Sequence, residues 1–440
     1  MKRLLSRFGK WEYKWLCLLV VIVLVLHFAI IKIPDKPVFD EAHYITDARG
    51  IIAGQETIRA EHPSLSKLFI IAGMLIFGDN PLGWRFFSVI LSAISIVLFY
   101  LICRNLQMSR RASFLATFLL AFENLTFVFS GMAMLDVACL TFTLAAFWLY
   151  LRGNYPASGI MVALSALAKL NGALAIIAIL LHWLIVRRDR ILEFFSLTFF
   201  APFFFVFLMP LTDLYTFHRW VNPLVRITTM LKSSASLTFA NVSGTYPQKP
   251  IEWIFRWDLT PYYFHPNYLA VVSYTVEFLI IPILIYMLIR SLGLQHNSWS
   301  AIIRIPNKIW IFIKYLPGSF RLIRIKPLRG LQLSQTSSDA GIFGLCWFTA
   351  TYLIWIPAVW ITDRVTYPYY IYLTIGAFCI GLGMGLSQLI RIFEVRRSGK
   401  LRWAAISVVV IFLLAHLAFF VLVSPLTYYW GTPIFRGLQS

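Results

Sequence analysis

The sequence predicts an all-α polytopic membrane protein, a single domain over residues 1–440 with about eleven transmembrane helices. Three observations carry that prediction. Hydrophobic residues make up 59% of the chain, against roughly 45–50% in an average soluble domain. They gather in runs of about 20 residues, the helix length that crosses a bilayer's hydrocarbon. None of the runs alternates as a barrel strand would, and only a helix satisfies its backbone within one segment in lipid.

The runs fall at 15–31, 82–103, 112–131, 133–151, 155–170, 172–186, 191–211, 268–289, 341–361, 367–390 and 403–423, with 155–170 the shortest. The first is too long for a cleavable leader, and Ile33-Pro34-Asp35-Lys36-Pro37 after it lacks a small-residue cleavage site. Basic residues set the orientation. Lys2, Arg3, Arg7, Lys10 and Lys14 precede the first run. Further clusters at Arg104, Arg110 and Arg111, at Arg187, Arg188 and Arg190, between Arg290 and Arg329, and between Arg391 and Arg402 fall on the same side. Positive loops stay in the cytoplasm, so the N-terminus is predicted inside and the C-terminus outside.

That bias also explains the net charge of +20. The basic loop at 290–340, with Trp310, Phe312 and Tyr315 interleaved, is expected to lie along anionic headgroups. No nucleic-acid recognition motif is present. The five cysteines lie in or at the ends of predicted spans without CxxC spacing, so neither a disulfide framework nor a zinc site is expected.

Two outside segments are too long for turns, 32–81 and 212–267, and long ordered loops usually carry function. The first holds Asp40, Glu41, His43, Tyr44 and Asp47, then Glu61-His62-Pro63-Ser64-Leu65-Ser66-Lys67. Its apolar stretch 68–77 is too short to span and predicts a surface helix. The second holds Pro250-Ile251-Glu252-Trp253 and Pro261-Tyr262-Tyr263-Phe264, which reads equally as a cover over a site or as an interfacial aromatic belt. Arg85, Asp136, Lys169 and Asp363-Arg364 stand at the outer ends of their spans, on the same face as Asp40-Glu41. Glu123 and Glu277 lie within spans, where a packing role and a site role stay open.

Carboxylates and cations on one membrane face suit the transfer of a sugar from a polyprenyl phosphate to a hydroxyl. A carboxylate removes the attacking hydroxyl's proton, and Arg or Lys stabilises the leaving phosphate. Phe39-Asp40-Glu41-Ala42-His43-Tyr44, the Glu61–Lys67 stretch and Gly83-Trp84-Arg85 together resemble the protein O-mannosyltransferases of the C-type glycosyltransferase (GT-C) superfamily. Asn124-Leu125-Thr126, Leu135-Asp136-Val137, Lys169-x-x-Gly172, Pro250-Ile251-Glu252-Trp253 and Arg364-Val365-Thr366-Tyr367-Pro368-Tyr369-Tyr370 are similar to its later landmarks. Ser64 and Ser66 depart from it, standing where the family pattern has Pro and Gly.

The resemblance implies a GT-C fold in a prokaryotic plasma membrane, with the site facing outside. It implies Asp40 as catalytic base and Glu41 as the residue that holds the acceptor. Arg85, Lys169 and Arg364 would bind the donor phosphate or its sugar, Arg364 being the preferred phosphate clamp. His62 would orient its loop, and Asp136 would support the site from behind. His43, Lys67, Tyr367, Tyr369 and Trp253 would support the site or line the acceptor side. The implied reaction is an inverting single displacement of a sugar, mannose by family, from a polyprenyl-phosphate donor to a polypeptide Ser or Thr, or else a lipid or glycan as in the related aminoarabinose transferases. No cofactor is required, and Mn²⁺ or Zn²⁺ at Asp40, Glu41 and His43 is the lesser alternative. A transporter or lipid flippase would instead use Glu123 and Glu277 at mid-membrane.

Overall fold

The computed structural model describes residues 11–187, 191–242, 247–257, 259–264, 266–292, 338–395 and 399–429. Most of the predicted basic loop at 290–340 lies outside them. Helices α1 (Trp11–Ile30), α2 (Asp40–Ile52), α3 (Leu65–Phe77), α4 (Pro81–Asn105), α5 (Arg110–Ala121) and α6 (Asn124–Ser130) form the first part of the chain. Then come α7 (Leu135–Leu151), α8 (Tyr155–Ala168), α9 (Leu174–Val186), α10 (Ile191–Phe217) and α11 (Pro223–Ala235). After the single turn α12 (Glu252–Phe255), strands β1 (Thr260–Tyr263) and β2 (Tyr268–Ala270) pair antiparallel. The chain continues through α13 (Tyr274–Glu277), α14 (Ile280–Ser291), α15 (Ser338–Phe348), α16 (Trp355–Thr362), α17 (Ile375–Val395) and α18 (Gly399–Val423).

Every predicted run lies largely on helix, but the runs are not eleven straight spans. Among the described residues six helical stretches are long and apolar enough to cross a membrane, or seven if the bent pair α5–α6 is one span. The other apolar helices are shorter, at 10–17 residues. Glu123 accepts the Leu125 and Thr126 amides at 3.2 and 2.7 Å, capping α6 where it turns 60° from α5. It also accepts the Ser273 amide at 2.8 Å, which ties the break to α13. This assigns Glu123 to packing and removes one of the two residues that favoured a transporter. The run 268–289 opens on β2, half of a two-stranded hairpin in an otherwise all-α fold.

Local chemistry accounts for the helix starts. Asn80 accepts the Leu82 and Gly83 amides ahead of Pro81, and Asn222 accepts the Leu224 amide ahead of Pro223. Outward faces stay apolar: Phe195, Phe199, Phe203 and Phe207 project exposed from α10, as lipid contact allows and water would not. The predicted surface helix is α3, begun three residues earlier than its apolar stretch. It packs on α4 so closely that a Cβ at Gly83 would lie 2.1 Å from the Gly78 carbonyl oxygen. That contact brings Lys67 and Arg85 onto neighbouring elements beneath α2.

Candidate active site

Asp40 and Glu41 open α2, and because successive helical side chains point about 100° apart, they part company. Glu41 turns inward and is fully buried. Its carboxylate accepts Arg85 Nε and Nη2 at 2.8 and 2.9 Å, the Ala133 amide at 2.9 Å and the Val38 amide at 3.2 Å. Arg85 is equally buried and also donates to the carbonyls of Ile31, Pro34 and Lys36. These contacts occupy both groups. Between them they pin the start of α2 to α4 and to the segment after α1. Lys67 is likewise buried, bonded to Asp47 and Thr57 at 2.8 Å and to the Arg59 carbonyl at 2.6 Å, so it braces the loop rather than meeting a substrate.

Asp40 instead remains partly exposed. Among the described residues its one side-chain hydrogen bond comes from the Tyr369 hydroxyl at 3.5 Å, and it has no ion pair. Burial raises its carboxyl above the ordinary aspartate value, while Lys169 opposes the shift and Asp136 adds to it. A raised, under-coordinated carboxylate is suited to take a proton. The residue before it, Phe39, has φ of +51°, a conformation that costs a residue with a Cβ about 1–3 kcal/mol. Its ring lies 3.8 Å from that of Tyr262 in a stacked pair, and Tyr369 meets its edge at 5.8 Å.

The cation that acts on Asp40 most strongly is Lys169. Lys169 ends α8 and holds both Asp136 oxygens at 2.8 Å while lying 5.6 and 5.8 Å from the rings of Tyr370 and Tyr369. The turn that presents it depends on Gly172, where a Cβ would fall 2.3 Å from the Ser165 carbonyl carbon. Arg364, half-buried, donates to the carbonyl and hydroxyl of Ser234 at the end of α11. His62 is pushed well below the usual imidazole range, first by burial and then by Lys169, Lys67, Arg364 and Arg59. It is therefore neutral amid positive charge. Its ring meets Tyr44 edge-on at 5.9 Å and its carbonyl accepts from Arg226, which α11 supplies.

An aromatic wall closes the site. Tyr367 stacks on Tyr369 at 5.4 Å, and Trp253, buried, backs Tyr370 at 5.9 Å while donating to the Gln248 carbonyl. His43 is exposed and acts on Asp40 electrostatically. Because Glu41 faces away with Arg85, the Asp40, Glu41 and His43 set proposed for a metal does not converge. No group of three or more His, Cys, Asp or Glu among the described residues is arranged to hold one. Two residues quoted only within longer motifs were not singled out for the site. Tyr370 could have been found from its place in the Arg364–Tyr370 stretch, whereas nothing in the sequence singled out Tyr262 from the tyrosines around it.

Residues 61–212 match the family described as dolichyl-phosphate-mannose-protein mannosyltransferase. The polyprenol-phosphate-mannose–protein mannosyltransferase of Corynebacterium glutamicum is 30% identical over 157 residues, which are 32% of this chain and 30% of that protein. The match thus spans under a third of the length of this curated relative. Among solved structures, the Saccharomyces cerevisiae protein O-mannosyltransferase Pmt1-Pmt2 complex bound to the sugar donor superposes with a TM-score of 0.65 at 13% identity, over 94% of this chain and 90% of that one. ArnT from Cupriavidus metallidurans bound to undecaprenyl phosphate gives 0.51 at 18% identity, over 95% and 76%. Such identities speak for fold alone. The chain is a multi-pass membrane protein with the fold of these protein O-mannosyltransferase and ArnT structures, and its residues 61–212 are similar to the dolichyl-phosphate-mannose-protein mannosyltransferase family.

Proposed function

We propose that the protein transfers a sugar, mannose by its family, from a polyprenyl-phosphate donor to an acceptor hydroxyl, a polypeptide Ser or Thr, at the outer face of a prokaryotic plasma membrane. The observation that carries this reading is Asp40. Neighbouring carboxylates at positions 41, 47 and 136 are each neutralised by a cation, and Asp40 alone of the four is left without one among the described residues. The acceptor oxygen attacks the anomeric carbon while Asp40 takes its proton. The bond from that carbon to the phosphate oxygen breaks, the lipid phosphate leaves with the electron pair, and the anomeric centre inverts. Lys169 and Arg364 supply positive charge to the departing phosphate, so the step needs no metal. The prenyl tail stays against the apolar helices in lipid.

The test uses the purified full chain in liposomes with polyprenyl-phosphate-mannose and a Ser/Thr-rich peptide, products being read by mass spectrometry. The wild type should add one hexose per modified hydroxyl, and Asp40→Asn should lose about 10²–10⁴-fold in rate. Undiminished transfer by Asp40→Asn would remove the base from the mechanism.

A further inference from the structure

We infer that Tyr262, on the short β1–β2 hairpin, contacts the donor sugar directly, its phenol hydroxyl bonding a hydroxyl group of the hexose. The inference rests on the transferase reading above and extends it to sugar recognition. Tyr262 is 8% exposed, and its hydroxyl has no hydrogen-bond partner among the described residues. A buried phenol normally finds one, because leaving it unmade costs free energy. Here the ring is fixed. It stacks on Phe39, the residue beside the proposed base, and lies 6.1 and 6.3 Å from the rings of Phe129 and Tyr369. The hairpin holds it there: Tyr268 of β2 pairs with Tyr263 and donates its own hydroxyl to the Ile33 carbonyl at 2.6 Å.

The order of groups along the wall says which substrate part reaches Tyr262. Lys169 lies over Tyr370 and Tyr369, at the end where a phosphate would be held. Tyr369 comes next and bonds Asp40, then Tyr262 at the far side. A donor with its phosphate at Lys169 and its anomeric carbon near Asp40 extends its ring toward Tyr262. The acceptor brings one hydroxyl, which Asp40 engages, whereas the hexose brings several and also apolar C–H faces that suit aromatic rings. Burial first, and then the Asp40 and Asp136 carboxylates, hold the phenol in its protonated, donor-competent form.

The substitution Tyr262→Phe keeps the stack on Phe39 and removes only the hydroxyl. Binding of polyprenyl-phosphate-mannose and of bare polyprenyl phosphate is measured for wild type and variant by tryptophan fluorescence in nanodiscs. The expected result is about a ten-fold weaker affinity for the mannosyl lipid and no change for the bare lipid. Among monodeoxy-mannosyl donors, one should bind both proteins equally, identifying the contacted hydroxyl. Equal affinities of both lipids for wild type and variant, or equal losses for both lipids, would overturn the assignment. A loss of affinity confined to the mannosyl lipid in the variant, together with no transfer to any acceptor by the wild type, would uphold Tyr262 while refuting the transferase reading.

Discussion

Replacing Arg85 should unfold the start of α2 rather than weaken a phosphate contact. Arg85 makes five hydrogen bonds: two to Glu41 at 2.8 and 2.9 Å, and three to the carbonyls of Ile31, Pro34 and Lys36 at 2.9, 2.9 and 3.2 Å. Arg85→Met removes all five and leaves the Glu41 carboxylate fully buried, with only the Ala133 and Val38 amides beside it. Breaking one side of a buried pair costs about 3–5 kcal/mol, a large share of a typical stability of roughly 5–15 kcal/mol. Glu41→Gln should cost a similar amount, because it strands the guanidinium instead. The double variant Glu41→Gln/Arg85→Met should be less destabilised than the sum of the singles by roughly 0.5–3 kcal/mol, since each single already loses the shared interaction. Thermal unfolding of detergent-solubilised protein, followed by size-exclusion chromatography with fluorescence detection, measures all three. A wild-type melting temperature for Arg85→Met, accompanied by a raised KM for the lipid donor, would refute this reasoning and restore the phosphate-binding role.

Asp40 yields a pH prediction with two readouts. Its carboxyl is raised in the fold above the ordinary value of 3.8, so folding disfavours its charged form. Its contribution to stability is present below the unfolded value and is lost as pH rises through the folded one. At pH 7 Asp40→Asn should therefore melt no lower than wild type although transfer is lost, and the acid limb of wild-type kcat/KM should lie above pH 3.8. A lower melting point for the variant at pH 7 would contradict the burial argument. Gly172→Ala should cost about 1–3 kcal/mol through overpacking against Ser165 and displace Lys169, raising KM for the mannosyl lipid. Unchanged stability and KM would show that the turn tolerates a side chain.

Much of the fold was legible because apolar runs and their polar interruptions are local signals. The surface helix α3 could be anticipated from residue order, and so could the placing of Asp136 and Lys169 at span ends, which the fold joins as an ion pair. The number of spans could not. A run such as 112–131 has the right length and hydropathy, yet Glu123 inside it finds Ser273, 150 residues away, and caps a bend instead of crossing straight. The hairpin was hidden for a similar reason. Residues 260–270 carry prolines and aromatics that fit an interfacial belt, and strand pairing over so few residues leaves no periodic trace.

The division of labour between Asp40 and Glu41 was the least legible feature, because adjacent identical charges differ only in what lies across from each. Glu41 finds Arg85, Asp47 finds Lys67, Asp136 finds Lys169 and Asp213 finds Arg226, all buried. Buried pairs of this kind are close to neutral for stability when compared with apolar packing. Their consequence here is positional. The first fixes where α2 begins, the second and fourth hold the loop between α2 and α3, and the third holds the cation that faces Asp40. Each pair also cancels a charge that would otherwise compete for a proton or a phosphate. What remains at the centre is one raised carboxylate on a backbone strained at Phe39, with a cation on one side and an unbonded tyrosine hydroxyl on the other. The position of Asp40 is thus set by the pairs around it, and under the proposed mechanism those paired residues would fix where the acceptor proton is taken.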